Sequence, residues 1–211
     1  MFGLYNKKSK IKGEIGYFKL QDLWLSAFTQ EERDHIEEVF HPMSADPSSK
    51  PLTHGGLSYT SQTAAGLLQA LAGWFNNPRD REIAKKIITK AEELAPTGGD
   101  VLGRHFTLSE KLVIYYREWE TSPKAMEKAI QACREQVAMA PEAVKAFLKE
   151  YPWQALPAHA GYRQLRIILE KQGKFDEAIQ LCEQAKAQGW ADNWNKQIET
   201  LNKKKAKVKK A

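Results

Sequence analysis

The strongest constraint on this chain is a pair of helical stripes near its C-terminal end. Tyr162, Leu165, Ile168 and Leu169 recur at helical spacing, and so do Phe175, Ala178, Ile179, Cys182 and Ala185, with Gly173 between the two sets. Ala178 and Ala185 lie seven residues apart, on one face of one helix. Small side chains at that spacing allow two helices to approach closely, while Tyr162 and Phe175 supply the bulk that fills the space beside them. Gly173 permits the left-handed turn that a tight reversal needs. A chain written this way is committed to paired antiparallel helices.

The same grammar recurs upstream. Leu68, Leu71 and Phe75 precede Asn77-Pro78 and then Ile83, Ala84, Ile87, Ile88 and Ala91. Leu108, Leu112, Tyr115 and Trp119 precede Ser122-Pro123 and then Met126, Ala129, Ile130, Cys133 and Val137. Asn and Ser are good helix caps, and proline is tolerated at the first helical position, so each pair reads as a stop followed by a restart. Aligned on Ala178, the equivalent small residues are Ala129 and Ala84, 49 and then 45 residues apart. Gln136 falls where a small residue is expected, and Ala91 matches Ala185. Cys133 and Cys182 occupy one repeat position, so both read as packed free thiols rather than as a disulfide or metal pair. A short helix is expected around Val144 and Leu148, and no segment alternates with a strand's period of two.

Residues 158–190 resemble a tetratricopeptide repeat, a 34-residue helix-turn-helix with a fixed order of large and small residues, and the run from Glu170 through Gly173, Phe175 and Ala178 to Ile179 is typical of it. Arg166 departs from that pattern, standing where the family usually has Gly or Ala. The two earlier pairs resemble the repeat more loosely. The resemblance implies an all-α fold, a tetratricopeptide-like helical repeat or α-solenoid with extra N-terminal helices. It also implies a non-catalytic scaffold whose concave face, made by the first helix of each pair, takes a protein or peptide ligand. The outward positions of those helices are Gln69 and Asn76, then Glu110, Arg117 and Glu120, then Arg163 and Glu170. Arg117 and Arg163 are suited to bidentate bonds with a peptide carboxylate.

The flanking segments divide the chain into residues 1–57, 58–202 and 203–211. The first reads as a loosely packed arm, two short helices and a loop. Leu20, Leu23, Trp24 and Phe28 mark one helix, and Thr29 with Glu32 spells a capping box for the next. Residues 203–211 read as a disordered basic tail. Lys203, Lys204, Lys205, Lys207, Lys209 and Lys210 account for six of the 32 basic residues, and the remaining 26 balance the 26 acidic ones. The net charge of +6 thus belongs to the tail. Its lysines are placed for weak, nonspecific polyanion contact by counterion release, which makes a nucleic-acid-associated protein the rival reading.

Catalysis finds little support. Phosphate-binding, dinucleotide, zinc-protease and nucleophile-elbow motifs are missing from the sequence. His54-Gly55-Gly56 reads as a turn, and His35, His41, His54, His105 and His159 are too scattered for a metal set. Catalytic residues, metals and cofactors are therefore not expected, and an enzyme built on the loop over residues 42–57 is the remotest of three readings. The most apolar run, residues 64–75, is about half of what a bilayer span requires. The chain reads as cytoplasmic.

Overall fold

The computed structural model describes residues 11–42, 46, 49–95 and 99–208. Among them the fold is all helical, with no strand. The chain divides into two compact units, Met1–Ala91 and Glu92–Ala211.

The first unit holds α1 (Gly13–Tyr17), α2 (Gln21–Ala27), α3 (Gln30–Val39), α4 (Ala64–Trp74) and most of α5 (Arg81–Leu94). The capping box forms as spelled: Glu32 N–H donates to Thr29 Oγ1 at 3.1 Å, and Thr29 N–H to a Glu32 carboxylate oxygen at 2.9 Å. Thr63 caps α4 through Gly66 N–H. Asn77 Oδ1 accepts from the amides of Arg79 and Asp80, but α5 begins only at Arg81, so Pro78 sits in a turn and not at the first helical position. Leu67, Leu68, Leu71, Ala72 and Phe75 of the α4 stripe are buried, as are Ile83, Ala84, Ile87, Ile88 and Ala91 of α5.

One expectation for this unit needs correcting: residues 11–16 are docked rather than loose, held by residues 51–55 of the loop. Gly13 adopts φ +57°, and this left-handed turn lets the amides of Lys12, Gly13, Glu14 and Ile15 donate to Thr53, Gly55, Pro51 and Leu52 carbonyls. Ile15 and Leu52 are buried at the junction. A β-carbon at Gly13 would strike the Pro51 carbonyl, so both the dihedral and the close approach demand glycine here. Residues 1–10, the rest of the expected arm, lie outside the described residues.

The second unit holds the end of α5, α6 (Val101–Tyr116), α7 (Pro123–Ala138), α8 (Ala140–Glu150), α9 (Ala160–Lys171), α10 (Phe175–Ala187) and α11 (Trp194–Val208). Helix α6 packs on α7, α7 on α9, α9 on α10, and α10 on α11. Ser122 caps α7 with Pro123 at its start, and Asp100 caps α6. Gly173 turns α9 into α10 at φ +74°. The small residues stand at the close contacts: Ala129, Ala132 and Cys133 of α7, and Ala178, Cys182 and Ala185 of α10, have no exposure. Tyr162 is equally buried, and its hydroxyl donates to Gln188 Oε1 at 3.1 Å. Removing a side chain of this size from water stabilises the fold by about 2–3 kcal/mol, provided its polar end is paired.

Gln136, out of place in the repeat pattern, is explained by a second hydrogen-bonded contact. Its Nε2 donates to the His105 carbonyl at 2.9 Å, and its Oε1 accepts from Gly161 N–H at 2.6 Å. Gly161 substitutes for the small residue missing at 136. A β-carbon there would lie 2.7 Å from Gln136 Oε1 and 3.0 Å from the Cys133 carbonyl.

Helix α8 is longer than expected, beginning one residue before Pro141. The disordered tail is also corrected. Residues 203–208 continue α11, whose Trp194 and Leu201 are buried and whose Ile198 packs against the core. Lys209 and Lys210 lie outside the described residues.

Candidate functional site

Helices α6 and α9 are the first helices of their pairs, and their C-terminal ends are joined by side chains. Tyr115 and Tyr116 are adjacent but point apart by about 100°, as helix geometry requires. Tyr115 is buried, whereas Tyr116 is half-buried and stacks on Trp119, with ring centroids 6.0 Å apart and planes 9° from parallel. Lys171, at the end of α9, places its ammonium 3.6 Å from the centroid of the Trp119 ring and 3.5 Å from the Tyr116 hydroxyl. Core packing thus accounts for Tyr115, while Tyr116 and Trp119 form a partly open aromatic shelf held by a cation. The sequence placed Tyr115 and Trp119 in one helical stripe but gave no sign of Lys171, because a lone lysine 52 positions beyond Trp119 carries no pairing signal.

The residues singled out from the sequence distribute unevenly. Arg117 and Glu120 are exposed beside the shelf. Glu110, further back on α6, is half-buried; burial raises its carboxyl above the usual range, and the Arg117 charge opposes that rise. Glu170 is not a free outward charge. It accepts from Arg166 Nη1 at 2.9 Å and from Lys204, so Arg166, misplaced in the repeat pattern, has a partner one turn along its own helix. Arg163 is exposed but pairs with Asp192 at 3.0 Å, on the turn before α11. This engages the Nε edge of the guanidinium expected to be available to a carboxylate. Gln69 and Asn76 belong to the first unit, where both are half-buried and Asn76 Oδ1 makes no hydrogen bond among the described residues.

The basic residues of α11 are also engaged. Lys203 pairs with Glu199 at 2.5 Å, Lys204 with Glu170, and Lys205 with Asp176. Of the four described lysines expected to contact polyanions, only Lys207 lacks an ion pair among the described residues. Among these residues no group of three or more metal-ligating side chains converges, and no helix is long and apolar enough to cross a membrane. Both cysteines are buried, and burial pushes the Cys133 thiol up to about 12 and the Cys182 thiol to about 11.

Compared with family models, curated proteins and solved structures, the chain matches none.

Proposed function

We propose that the chain is a non-catalytic, cytoplasmic scaffold that binds a peptide or protein segment on the α6–α9 face of its second unit, in the manner of a tetratricopeptide-like repeat. The shelf carries this reading. Tyr116 and Trp119 offer an aromatic surface at the end of α6, Lys171 is held on it, and Arg117 stands exposed beside it with no ion pair among the described residues. An aromatic platform with adjacent cations suits a segment bearing an apolar or aromatic side chain next to a carboxylate. Support for the repeat arrangement comes from the buried alanines at the helix contacts and the order of packing along α6, α7, α9 and α10. Arg163 and Glu170 are paired within the chain, which favours a binding surface toward the shelf. The pairing of three α11 lysines weighs against the polyanion-binding alternative.

The test is selection of binders from a displayed peptide library, followed by affinity measurement on Trp119→Ala, Arg117→Glu and Lys171→Ala. Selected peptides enriched in acidic and aromatic residues should lose at least tenfold in affinity on the first two variants. Peptides that bind all three as well as wild type would remove the site, and a library yielding no binder would remove the proposal.

A further inference from the structure

Two histidines are buried side by side in the second unit, inside an aromatic cluster remote in sequence from the shelf. His105, on α6, stacks on Trp190 with planes 4° apart and centroids 5.7 Å apart. His159, the cap of α9, meets the same indole edge-on at 4.6 Å and His105 at 5.0 Å. Phe147 of α8 packs against His105 and Trp190, and Tyr162 against His159. His105 is 3% exposed and His159 0%.

Hydrogen bonds dictate where the ring protons sit. His159 Nδ1 accepts from Tyr162 N–H at 3.2 Å, so its proton is on Nε2. Gln136 is oriented by Gly161 N–H on its Oε1, so its Nε2 is a donor facing His105 Nε2 at 3.5 Å. That leaves the His105 proton on Nδ1. The protonated atoms, His105 Nδ1 and His159 Nε2, are buried with no hydrogen-bond partner among the described residues. A second proton on either ring must therefore land on the nitrogen that now accepts, facing Tyr162 N–H in one case and the Gln136 amide in the other. Each would turn an acceptor into a donor aimed at a donor, and would place a charge among aromatic rings.

Among the described residues, the carboxylates beside the cluster are already paired. Glu135, next to Gln136 on α7, is 3.7 Å from Arg104, the neighbour of His105, and Asp192, on the Trp190 turn, is paired with Arg163 of α9. The Cys133 thiol of α7 and the Tyr162 phenol of α9 are both pushed up by burial and stay neutral. Phe147 is the ring that α8 contributes, and Gln188 at the end of α10 is uncharged and bonded to Tyr162 and Trp190. The turn these rings hold joins α10 to α11. It is fastened otherwise by Ala191 N–H to the Pro157 carbonyl at 3.1 Å, Trp190 N–H to the Ala185 carbonyl at 3.2 Å, the Trp194 indole N–H to the Trp190 carbonyl at 2.7 Å and the Asp192–Arg163 pair.

We infer that His105, His159 and Trp190 form an acid-sensitive latch: with both rings neutral the α10–α11 turn is held against α6 and α9, and protonation releases it. Burial holds His105 down near 4 and His159 near 3, against an ordinary value of 6.5, with the His105 charge adding to the effect on His159. Both are depressed, so the closed state binds fewer protons than the open one. Closure is complete above about pH 6.5 and weakens as pH falls, about tenfold per unit for each ring until its closed-state value is approached.

The experiment is native-state hydrogen exchange on the full chain between pH 7 and 5, corrected for intrinsic exchange. The opening constant at the Tyr162 and Trp190 amides should rise about 240-fold from pH 6.5 to 5. In His159→Asn, which keeps an oxygen to cap α9, the rise should fall to about 15-fold. In His105→Phe/His159→Asn it should disappear. Amides of the first unit, such as Ile87, should show no such rise. A wild-type opening constant independent of pH overturns the latch. So does an equal rise at Ile87, which would mean global acid unfolding. An undiminished rise in His159→Asn overturns it as well, and that single variant decides the matter if the double variant does not fold.

Discussion

Replacing Gln136 with Leu tests the packing of α7 against α9 at its most demanding point. The side chain is wholly buried and satisfies two backbone groups on different helices. Gly161 N–H belongs to the first turn of α9, where the helix supplies no acceptor, and His159 already serves the neighbouring Tyr162 amide. Leucine fills nearly the same volume but leaves Gly161 N–H unpaired in the core, at a cost of about 1–3 kcal/mol. Loss of the bond to the His105 carbonyl adds about 1 kcal/mol, for a total of roughly 2–4 kcal/mol. At about 4 °C per kcal/mol for a unit of this size, the second unit should melt roughly 8–16 °C lower. Differential scanning calorimetry reads this directly, with the first unit as an internal reference if the two melt separately. Gly161→Ala, which forces a β-carbon toward Gln136 Oε1, should cost less in a Gln136→Ala background than in wild type, since the obstructing atom is gone. A melting temperature for Gln136→Leu within about 2 °C of wild type would show that the buried bonds carry no net stability.

Ala178→Leu should destabilise the second unit by about 1–3 kcal/mol or more, because a fully buried alanine at a helix contact has no room for three further carbons; chemical denaturation measures it. Glu14→Gln should raise the stability of the first unit at pH 7. Burial and the Glu37 charge raise the Glu14 carboxyl, so the folded state holds its proton more tightly, and stability is lost as pH rises from about 4.5 through the folded value; the gain should vanish by pH 4 in urea titrations. The two thiols should label slowly with a disulfide reagent in native protein and at once in denaturant, as their burial and raised values require; rapid native labelling of both would contradict their packing positions. Truncation after Asn202 should lower the melting temperature by no more than a few degrees, since Leu201 is the last buried residue among those described and each lost ion pair of Lys203, Lys204 and Lys205 has at least one exposed partner; a collapse of the second unit in calorimetry would show that residues 203–208 contribute more than surface pairing.

The sequence by itself determined the helices, because helix signals are local. Periodic apolar stripes, the Thr29–Glu32 box, Ser122-Pro123 and the left-handed Gly173 act within a few residues of where they are written, and each appears where it was read. The small residues at 129, 178 and 185 were legible for the same reason: a buried alanine on a helical face has few uses other than close approach. Helix α11 was legible in principle from Trp194, Ile198 and Leu201, but the lysine run behind them masks the stripe. Their like charges argue against a helix until Glu199, Glu170 and Asp176 are brought alongside, two of them from other helices. The site was less legible still. Whether Arg163, Arg117 or Glu170 is free depends on what lies across from it, and Asp192 and Lys204 are 29 and 34 residues away from the side chains they occupy. The shelf depends on Lys171 reaching Trp119, and the latch on two histidines 54 positions apart meeting one indole. Only tertiary structure decides such pairings, because charge, hydrogen bonding and desolvation act over a few ångströms of space regardless of distance along the chain.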